Sequence, residues 1–250
     1  MPRSISLQAL PGLPEVAAGD DLAALIRQGL QRAALKLGAD DLLVVAQKIV
    51  SKAEGRLVAL ADIEPSAAAS RLAIEVRKDP RFVELVLRES SAVLRAVPNI
   101  LITRHRCGWV MANAGIDRSN VASGDTHVLL LPQDCDASAR RLREALAPEH
   151  PAVIISDSFG RPWREGTVNV ALGVAGYSAV LDQRGQTDRH GRVLQATQAA
   201  LADAVAAAAG VVMGEAVEGT PVVLVRGLDF SGPPADGRAL LRSPEGDLFL

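Results

Sequence analysis

The chain has little of several features that mark particular classes of protein. Its two cysteines, Cys107 and Cys135, are too few for a disulfide framework and lack the paired spacing of a zinc site, so we predict free thiols. No apolar run approaches the roughly 20 residues of a membrane span, and the amino terminus has no apolar signal region. The formal net charge is only -2, without the basic excess of a general nucleic-acid binder. We therefore expect a cytoplasmic protein that binds neither membranes nor nucleic acid.

Familiar nucleotide-binding and catalytic motifs are also missing. The glycine-rich stretches do not form a Walker A sequence, and no GxGxxG opens a helix, so any nucleotide must bind in another arrangement. His105, His127 and His150 have no partner spacing, His190 lies in a polar loop where it could act as a base, and no Ser/His/Asp or Cys/His arrangement stands out. Aromatic residues make up 3% of the chain, and we interpret both tryptophans as packing residues. A histidine-centred mechanism is therefore not expected.

The remaining composition supports a full core. Hydrophobic residues make up 48% of the 250 residues, which suits one large domain or two small lobes. Short apolar runs predict strands, and helical periodicity predicts helices. Strands are expected at 5–10, 42–46, 100–103, 109–112, 128–131, 152–155 and 221–225. Helices are expected from about residue 21, over 65–97 as one helix or as two broken near Asp79–Pro80, and over 136–146 and 195–213, with 168–177 left as strand or helix. This interleaving predicts an α/β or α+β class with mixed sheets.

Acidic residues follow three of these apolar elements. Asp157 comes after the run 152–155, Asp117 after 109–112, and Glu215 after the alanine-rich helix. Carboxylates at the ends of buried elements suit a hard divalent cation, and the nearby Lys52 and Arg161 suit phosphate groups. The alternative is that Asp157 caps a turn and that the basic residues are solvated or paired at the surface.

Taken together, these segments resemble the coenzyme F-420:L-glutamate ligases. The matching segments, in chain order, are GLP (12–14), GDDL (19–22), SKAEGR (51–56), NAGID (113–117), SNV (119–121), DSFGRPWR (157–164), MGE (213–215) and VRGL (225–228). The resemblance implies a two-lobed α/β fold in an intertwined homodimer, with residues 1–250 as a single ligase unit. We expect no carboxyl-terminal nitroreductase-like domain of the kind some actinobacterial relatives carry.

The same resemblance implies an activity. Family members add L-glutamate to the lactyl-phosphate side chain of coenzyme F-420-0, using GTP, in coenzyme F-420 biosynthesis. The implied route is an acyl phosphate, which the amine of glutamate attacks, with release of GDP and phosphate.

The resemblance also implies roles for particular residues. The implied metal ligands are Asp117, Asp157, Ser158 and Glu215, holding two Mg²⁺ or Mn²⁺ ions with K⁺ beside them. Lys52 and Arg161 are the implied catalytic cations. The implied GTP contacts are Leu13, Pro14, Glu15, Val16, Gln47, Lys48, Lys52, Asn120, Met213, Gly214, Glu215, Ala216, Val217, Glu218, Gly219 and Thr220. Ser158 replaces the usual threonine, and Gln47 and Lys48 replace the Ser and Thr of some relatives.

Two other classes of function remain as alternatives. One is a different metal-dependent enzyme, either an acyl-phosphate ligase acting on another acid or a phosphatase. The other is a non-catalytic regulator, which would bind GTP without turnover. Glutamate-dependent release of GDP separates the ligase from both.

Overall fold

The computed structural model describes residues 4–118, 126–228, 233–243 and Gly246. Its helices are α1 Leu22–Arg32, α2 Gln47–Ala53, α3 Ala67–Val76, α4 Pro80–Arg88, α5 Cys135–Ala145 and α6 Leu201–Met213. Its strands are β1 Ser6–Ala9, β2 Leu42–Ala46, β3 Leu57–Ala59, β4 Ser90–Val97, β5 Ile100–His105, β6 Val110–Ala112, β7 His127–Leu129, β8 Ala152–Arg161, β9 Arg164–Ala175, β10 Leu181–Asp182, β11 Gln198–Ala199 and β12 Val222–Arg226. This mixed arrangement of helices and sheets confirms the predicted class.

A five-stranded mixed sheet forms the centre of the fold. Its strand order is β1-β12-β2-β8-β9, in which β2 and β8 are parallel and every other neighbouring pair is antiparallel. Both faces of β2 are buried: Leu43 and Val45 pack beneath α1 and α5, while Leu42 and Val44 face α6. Strands buried on both faces are apolar at every position, which is why 42–46, 152–155 and 222–225 read as uninterrupted runs.

A second hydrophobic core lies outside the central sheet. Helices α3 and α4 pack with the three-stranded sheet β4-β5-β6 and the two-stranded sheet β3-β7. Val83, Val86 and Leu101 are fully buried in this core. The segment that carries Asp117 belongs to this part, because the backbone of Asp117 pairs with that of Leu129 in β7.

Two helix predictions were too long. Residues 90–97 form β4 and not a helix: α4 ends at Arg88, and the backbone of the following segment pairs with β5 while its side chains alternate between half-buried and exposed through residue 96. Pairing with β5 overrides the local helical periodicity. At the other end of the chain, α6 begins at Leu201, and Gln198–Ala199 pairs with β10. The 168–177 segment is strand β9 through Ala175.

The start of α5 also differs from the prediction. Asp134 caps the helix by accepting the Ala137 N–H at 2.9 Å, where Asp136 or Ser138 was expected. Asp136 is buried and accepts backbone N–H groups from Val174 and Gly237. It therefore joins α5 to β9 and to the chain near residue 237.

Both cysteines are free, as predicted. Cys135 is buried, and burial raises the pKa of its thiol far above the ordinary value. Within the described ranges, no helix is long and apolar enough to cross a membrane.

A buried ionic network connects the two cores. Arg56, which follows α2, donates to Glu89 Oε2 at 2.8 Å and to the Leu131 carbonyl at 2.8 Å. Arg106 lies 3.1 Å from the same Glu89 oxygen. Burial raises the pKa of Glu89, but the neighbouring His105, Arg56 and Arg106 outweigh burial and lower it overall. Ionised Glu89 therefore stabilises the folded state.

We expect Glu89→Gln to lower the free energy of unfolding by about 3 kcal/mol at pH 7, because two arginines lose a buried counter-charge. Since the folded pKa lies below the unfolded one, this contribution is present above about pH 4.5 and is lost as pH falls through the folded pKa. Urea denaturation at pH 7 and at pH 3.5 measures both effects.

The matched control is Asp182→Asn, which removes an exposed carboxylate paired with Arg184. Exposed pairs contribute under about 1 kcal/mol, so this variant should unfold like wild type. Equal losses in the two variants would contradict the network's role.

Candidate functional site

The topology of the central sheet brings several loops to one edge. Because β2 and β8 are parallel, their carboxyl ends lie together, and Ala46 is opposite Ser156. Strand β12 is antiparallel to β2, so it begins at this same edge, where the Ala46 N–H donates to the Pro221 carbonyl at 2.8 Å. Strand β1, antiparallel to β12, ends there too, and Leu10 donates to Val222. Four segments distant in sequence therefore meet.

These segments enclose an open cavity of about 660 Å³. That volume is within the range of small-molecule and cofactor sites. The cavity is lined by residues 13–16, 46–49, 52, 156–158, 169 and 213–221. Each sequence-predicted GTP contact within the described ranges therefore faces this one cavity. Asn120 lies outside the described residues.

Asp157 lies within a strand and not at the end of one. We expected the strand to stop at Ile155, but β8 continues to Arg161. Beyond Ser156, β8 pairs with β9 alone, because β2 has ended and α2 begins directly at Gln47. A register irregularity between Ile155 and Ser156 marks this point. Irregularities of this kind re-aim side chains, and here Asp157 and Ser158 line the cavity.

Asp157 and Asp117 form a charged cluster with Lys48. Lys48 Nζ lies 2.7 Å from Asp117 Oδ2. Asp157 is half-buried as a residue, and burial of its carboxyl group, with a contribution from Asp117, raises its pKa to about 7. The Ser158 N–H, Lys48 and Gln47 oppose this rise. The site thus holds a carboxyl group whose ionisation is costly until a further positive charge arrives.

The second lysine of α2 has a different partner. Lys52, one turn after Lys48, pairs with Glu15 of the loop that follows β1. The Lys52 side chain is 16% exposed, while the Glu15 side chain is 82% exposed. On the same helix, Ser51 Oγ donates to Gln47 Oε1 at 2.8 Å and orients the buried Gln47 side chain.

Glu215 belongs to the loop on the opposite wall. Thr220 Oγ1 donates to the Met213 carbonyl at 2.8 Å, and the Ala216 N–H donates to Glu218 Oε2 at 2.9 Å. Gly214 has φ +76°, a conformation that favours glycine at the end of α6. Glu215 lines the same cavity but is exposed.

The residues at this edge supply part of a ligand set for a divalent cation. Asp117, Asp157 and Ser158 offer the oxygen ligands that Mg²⁺ and Mn²⁺ prefer, and burial raises the pKa of the Asp157 carboxyl group, so a cation bound there would favour its ionised form. Among the residues that the structure describes, no three His, Cys, Asp or Glu side chains are grouped closely enough to hold a metal. The structure brings Asp117 and Asp157 close to Lys48, while Glu215 lines the same cavity without joining them in such a group.

Arg161 lies outside the cavity lining. It is the last residue of β8, at the end of the β8–β9 hairpin, where its Nη2 donates to the Glu165 carbonyl at 3.3 Å. Its implied role as a catalytic cation stays a prediction.

Two polar residues of the cavity wall were missed from the sequence. Asn169 and Ser156 are both buried and line the cavity, and Ser156 Oγ has no hydrogen-bond partner in the described structure. Asn169 interrupts the apolar run of β9 and lies against Gly210 of α6. A lone amide within an apolar strand was the available signal, since a buried polar side chain must be satisfied by a neighbour or a ligand.

The sequence matches those of known proteins along most of its length. The family model described as F-420-0:gamma-glutamyl ligase matches residues 12–227. The chain belongs to this family. The F-420-0:gamma-glutamyl ligase match spans every segment of the cavity wall, from the loop after β1 to the start of β12.

Curated relatives in this ligase family match over nearly the whole chain. The coenzyme F-420:L-glutamate ligase of Methanothermobacter thermautotrophicus is 47% identical, over 98% of this chain and 98% of its own length. The protein of the same name from Methanopyrus kandleri is 45% identical over 98% of each chain. That from Methanocaldococcus jannaschii is 42% identical over 84% of each.

We expect Asp157→Asn to stabilise the metal-free protein by about 2 kcal/mol at pH 8. The folded pKa of about 7 lies above the ordinary value of 3.8, so ionising wild-type Asp157 costs stability as pH rises from about 4 through 7. The gain should therefore vanish at pH 4. Urea denaturation at the two pH values measures it, and a variant less stable than wild type at pH 8 would contradict the electrostatic cost at this site.

Proposed function

We propose that the protein is a GTP-dependent ligase that adds L-glutamate to coenzyme F-420-0 in coenzyme F-420 biosynthesis. The observation that carries the proposal is one cavity, lined by every described residue that the resemblance assigned to GTP together with Asp157, Ser158 and Glu215 of the metal set, while Asp117 contacts the cavity residue Lys48. The names of relatives that match almost the full chain support the same reaction.

The chemistry begins with a carboxylate, which is a poor acylating agent. In the proposed reaction, the terminal carboxylate of coenzyme F-420-0 takes the γ-phosphoryl group of GTP, and the amine of L-glutamate then displaces phosphate from the acyl phosphate. Phosphoryl transfer of this kind depends mainly on positioning and on neutralising negative charge. The cavity supplies both lysines of α2 along one wall and backbone groups of the 213–221 loop along another.

Individual residues take separate tasks in this proposal. Lys52 exchanges Glu15 for a phosphate oxygen of the nucleotide, because Glu15 is exposed and their pair is easily broken. The backbone N–H groups of the 213–221 loop and the 13–16 loop bind the rest of the nucleotide. Asp117, Asp157 and Ser158 hold a divalent cation, which when bound neutralises phosphate charge. Glu215 would become a further ligand of this cation through movement of the exposed 213–221 loop.

Mass spectrometry of coenzyme F-420-0 incubated with the protein, L-glutamate and Mn²⁺ tests the proposal. We expect mass increments of one or more glutamyl residues with GTP and none with ATP in a parallel reaction. GTP hydrolysis without an increment would favour a phosphatase or a ligase for another acid. Nucleotide binding without hydrolysis would favour the non-catalytic regulator.

Substitution of Asp157 should impair catalysis without unfolding the protein. We expect Asp157→Asn to lower glutamate addition by at least about 1,000-fold while the protein stays folded, because the site loses a ligand for the cation. Initial rates of GDP release with glutamate present measure this. Asp62→Asn, which removes an exposed acid that is not part of the cavity lining, is the control and should keep wild-type rates. A fully active Asp157→Asn enzyme would exclude the assigned site.

We also propose that the protein is a homodimer, as the resemblance implies. Beyond Ser156, the β8–β9 hairpin leaves the central sheet, and Trp163 near its tip is 83% exposed. Exposed aromatic side chains are enriched at protein interfaces. We expect light scattering to give about 52 kDa, twice the 26.2 kDa of one chain. Trp163→Asp should shift the population towards monomer, and a wild-type monomer at micromolar concentration would contradict the proposal.

A further inference from the structure

Lys48 interacts with both aspartates assigned to the metal. Its ammonium group contacts Asp117 at 2.7 Å and is close enough to Asp157 to favour the ionised form of that carboxyl group. The Lys48 and Asp117 side chains are only 32% and 20% exposed, so water screens their interaction incompletely. One positive charge thus neutralises part of a two-carboxylate site.

The three side chains come from different parts of the fold. Lys48 is in the first turn of α2, Asp117 pairs with β7, and Asp157 is in β8. The lysine therefore bridges the central sheet and the second core through the acids of the site. A lysine ammonium occupies one point with three donors, and its flexible stem allows it to leave when a stronger cation arrives.

We propose that Lys48 is the internal counter-ion of the metal site and competes with the divalent cation for Asp117. This inference rests on the proposed function for the assignment of a cation to Asp117 and Asp157. In the absence of nucleotide, Lys48 weakens the binding of the divalent ion. When the ion binds, Lys48 leaves Asp117 and turns towards the cavity, where it faces the phosphates. Metal and nucleotide thereby favour each other's binding.

Lys52 provides a matched comparison on the same helix. It is one turn further along, has the same charge and lines the same cavity, but its partner is Glu15 and not Asp117. Removing Lys52 therefore takes one positive charge from the cavity without freeing a predicted metal ligand. A comparison of variants at the two lysines therefore distinguishes direct competition for a metal ligand from a general change in the charge of the cavity.

The test is the affinity of the full-length protein for Mn²⁺ without nucleotide, from the electron paramagnetic resonance signal of free Mn²⁺ at pH 7.5. We expect Lys48→Met to lower the dissociation constant at least about tenfold, because a unit charge at contact distance from a ligand is removed. Lys52→Met should change it by less than about threefold. With a non-hydrolysable GTP analogue present, the difference in Mn²⁺ dissociation constant between Lys48→Met and wild type should decrease, because Lys48 of the wild type then contacts phosphate and no longer competes for Asp117.

A second readout covers the stability of the variant. Without metal, Lys48→Met should melt at a lower temperature than wild type, since Asp117 and Asp157 lose their counter-ion, and Mn²⁺ should raise its Tm more than it raises that of wild type. Equal or weaker Mn²⁺ binding by Lys48→Met would overturn the inference even in an active ligase. Tighter binding by Lys48→Met would support it even if no glutamate is added. Absence of Mn²⁺ binding in both proteins would overturn the inference together with the metal assignment.

Discussion

The parallel pairing of β2 with β8 is the constraint on which the rest of the site depends. It places the start of α2 beside Asp157, since Ala46 lies opposite Ser156. At that point β2 gives way to α2, and the residues of β8 change from apolar to polar. The antiparallel strands β12 and β1 then bring their loops to the same edge. The cavity follows from this topology, because the carboxyl ends of parallel strands leave an open crevice in an α/β sheet.

Both lysines of the cavity are paired with acids before any ligand arrives. Lys48 pairs with Asp117, Lys52 pairs with Glu15, and Asp157 keeps a raised pKa because burial outweighs its favourable neighbours. Ionising the buried Asp157 costs stability. Under the proposed function, a bound cation would take Asp117 from Lys48, and phosphate groups would take Lys52 from Glu15. The buried Arg56–Glu89 pair joins the segment after α2 to the end of α4.

The order of loops in the chain was readable from the sequence, but part of their geometry was not. The fully apolar runs predicted β2, β8 and β12, and most residues selected by motif resemblance line one cavity, while Asp117 contacts its Lys48 and Arg161 lies outside the lining. The helix predicted over 90–97 failed because pairing with β5 is a long-range interaction that local periodicity does not contain. Asp157 was expected at a strand end because the apolar run of β8 stops at Ile155. The run stops near the point where β8 loses its neighbour β2, but β8 itself continues to Arg161 through its pairing with β9. Asn169 went unnoticed because its role depends on contacts with other elements.

The most direct test of the assigned site is a crystal structure of the protein with Mn²⁺ and GDP, using the anomalous signal of manganese. We predict a manganese peak within about 2.3 Å of carboxylate oxygens of both Asp117 and Asp157, with the diphosphate beside Lys52 and Lys48 no longer in contact with Asp117. A manganese peak bound elsewhere, or GDP outside the cavity lined by 13–16 and 213–221, would contradict the assignment.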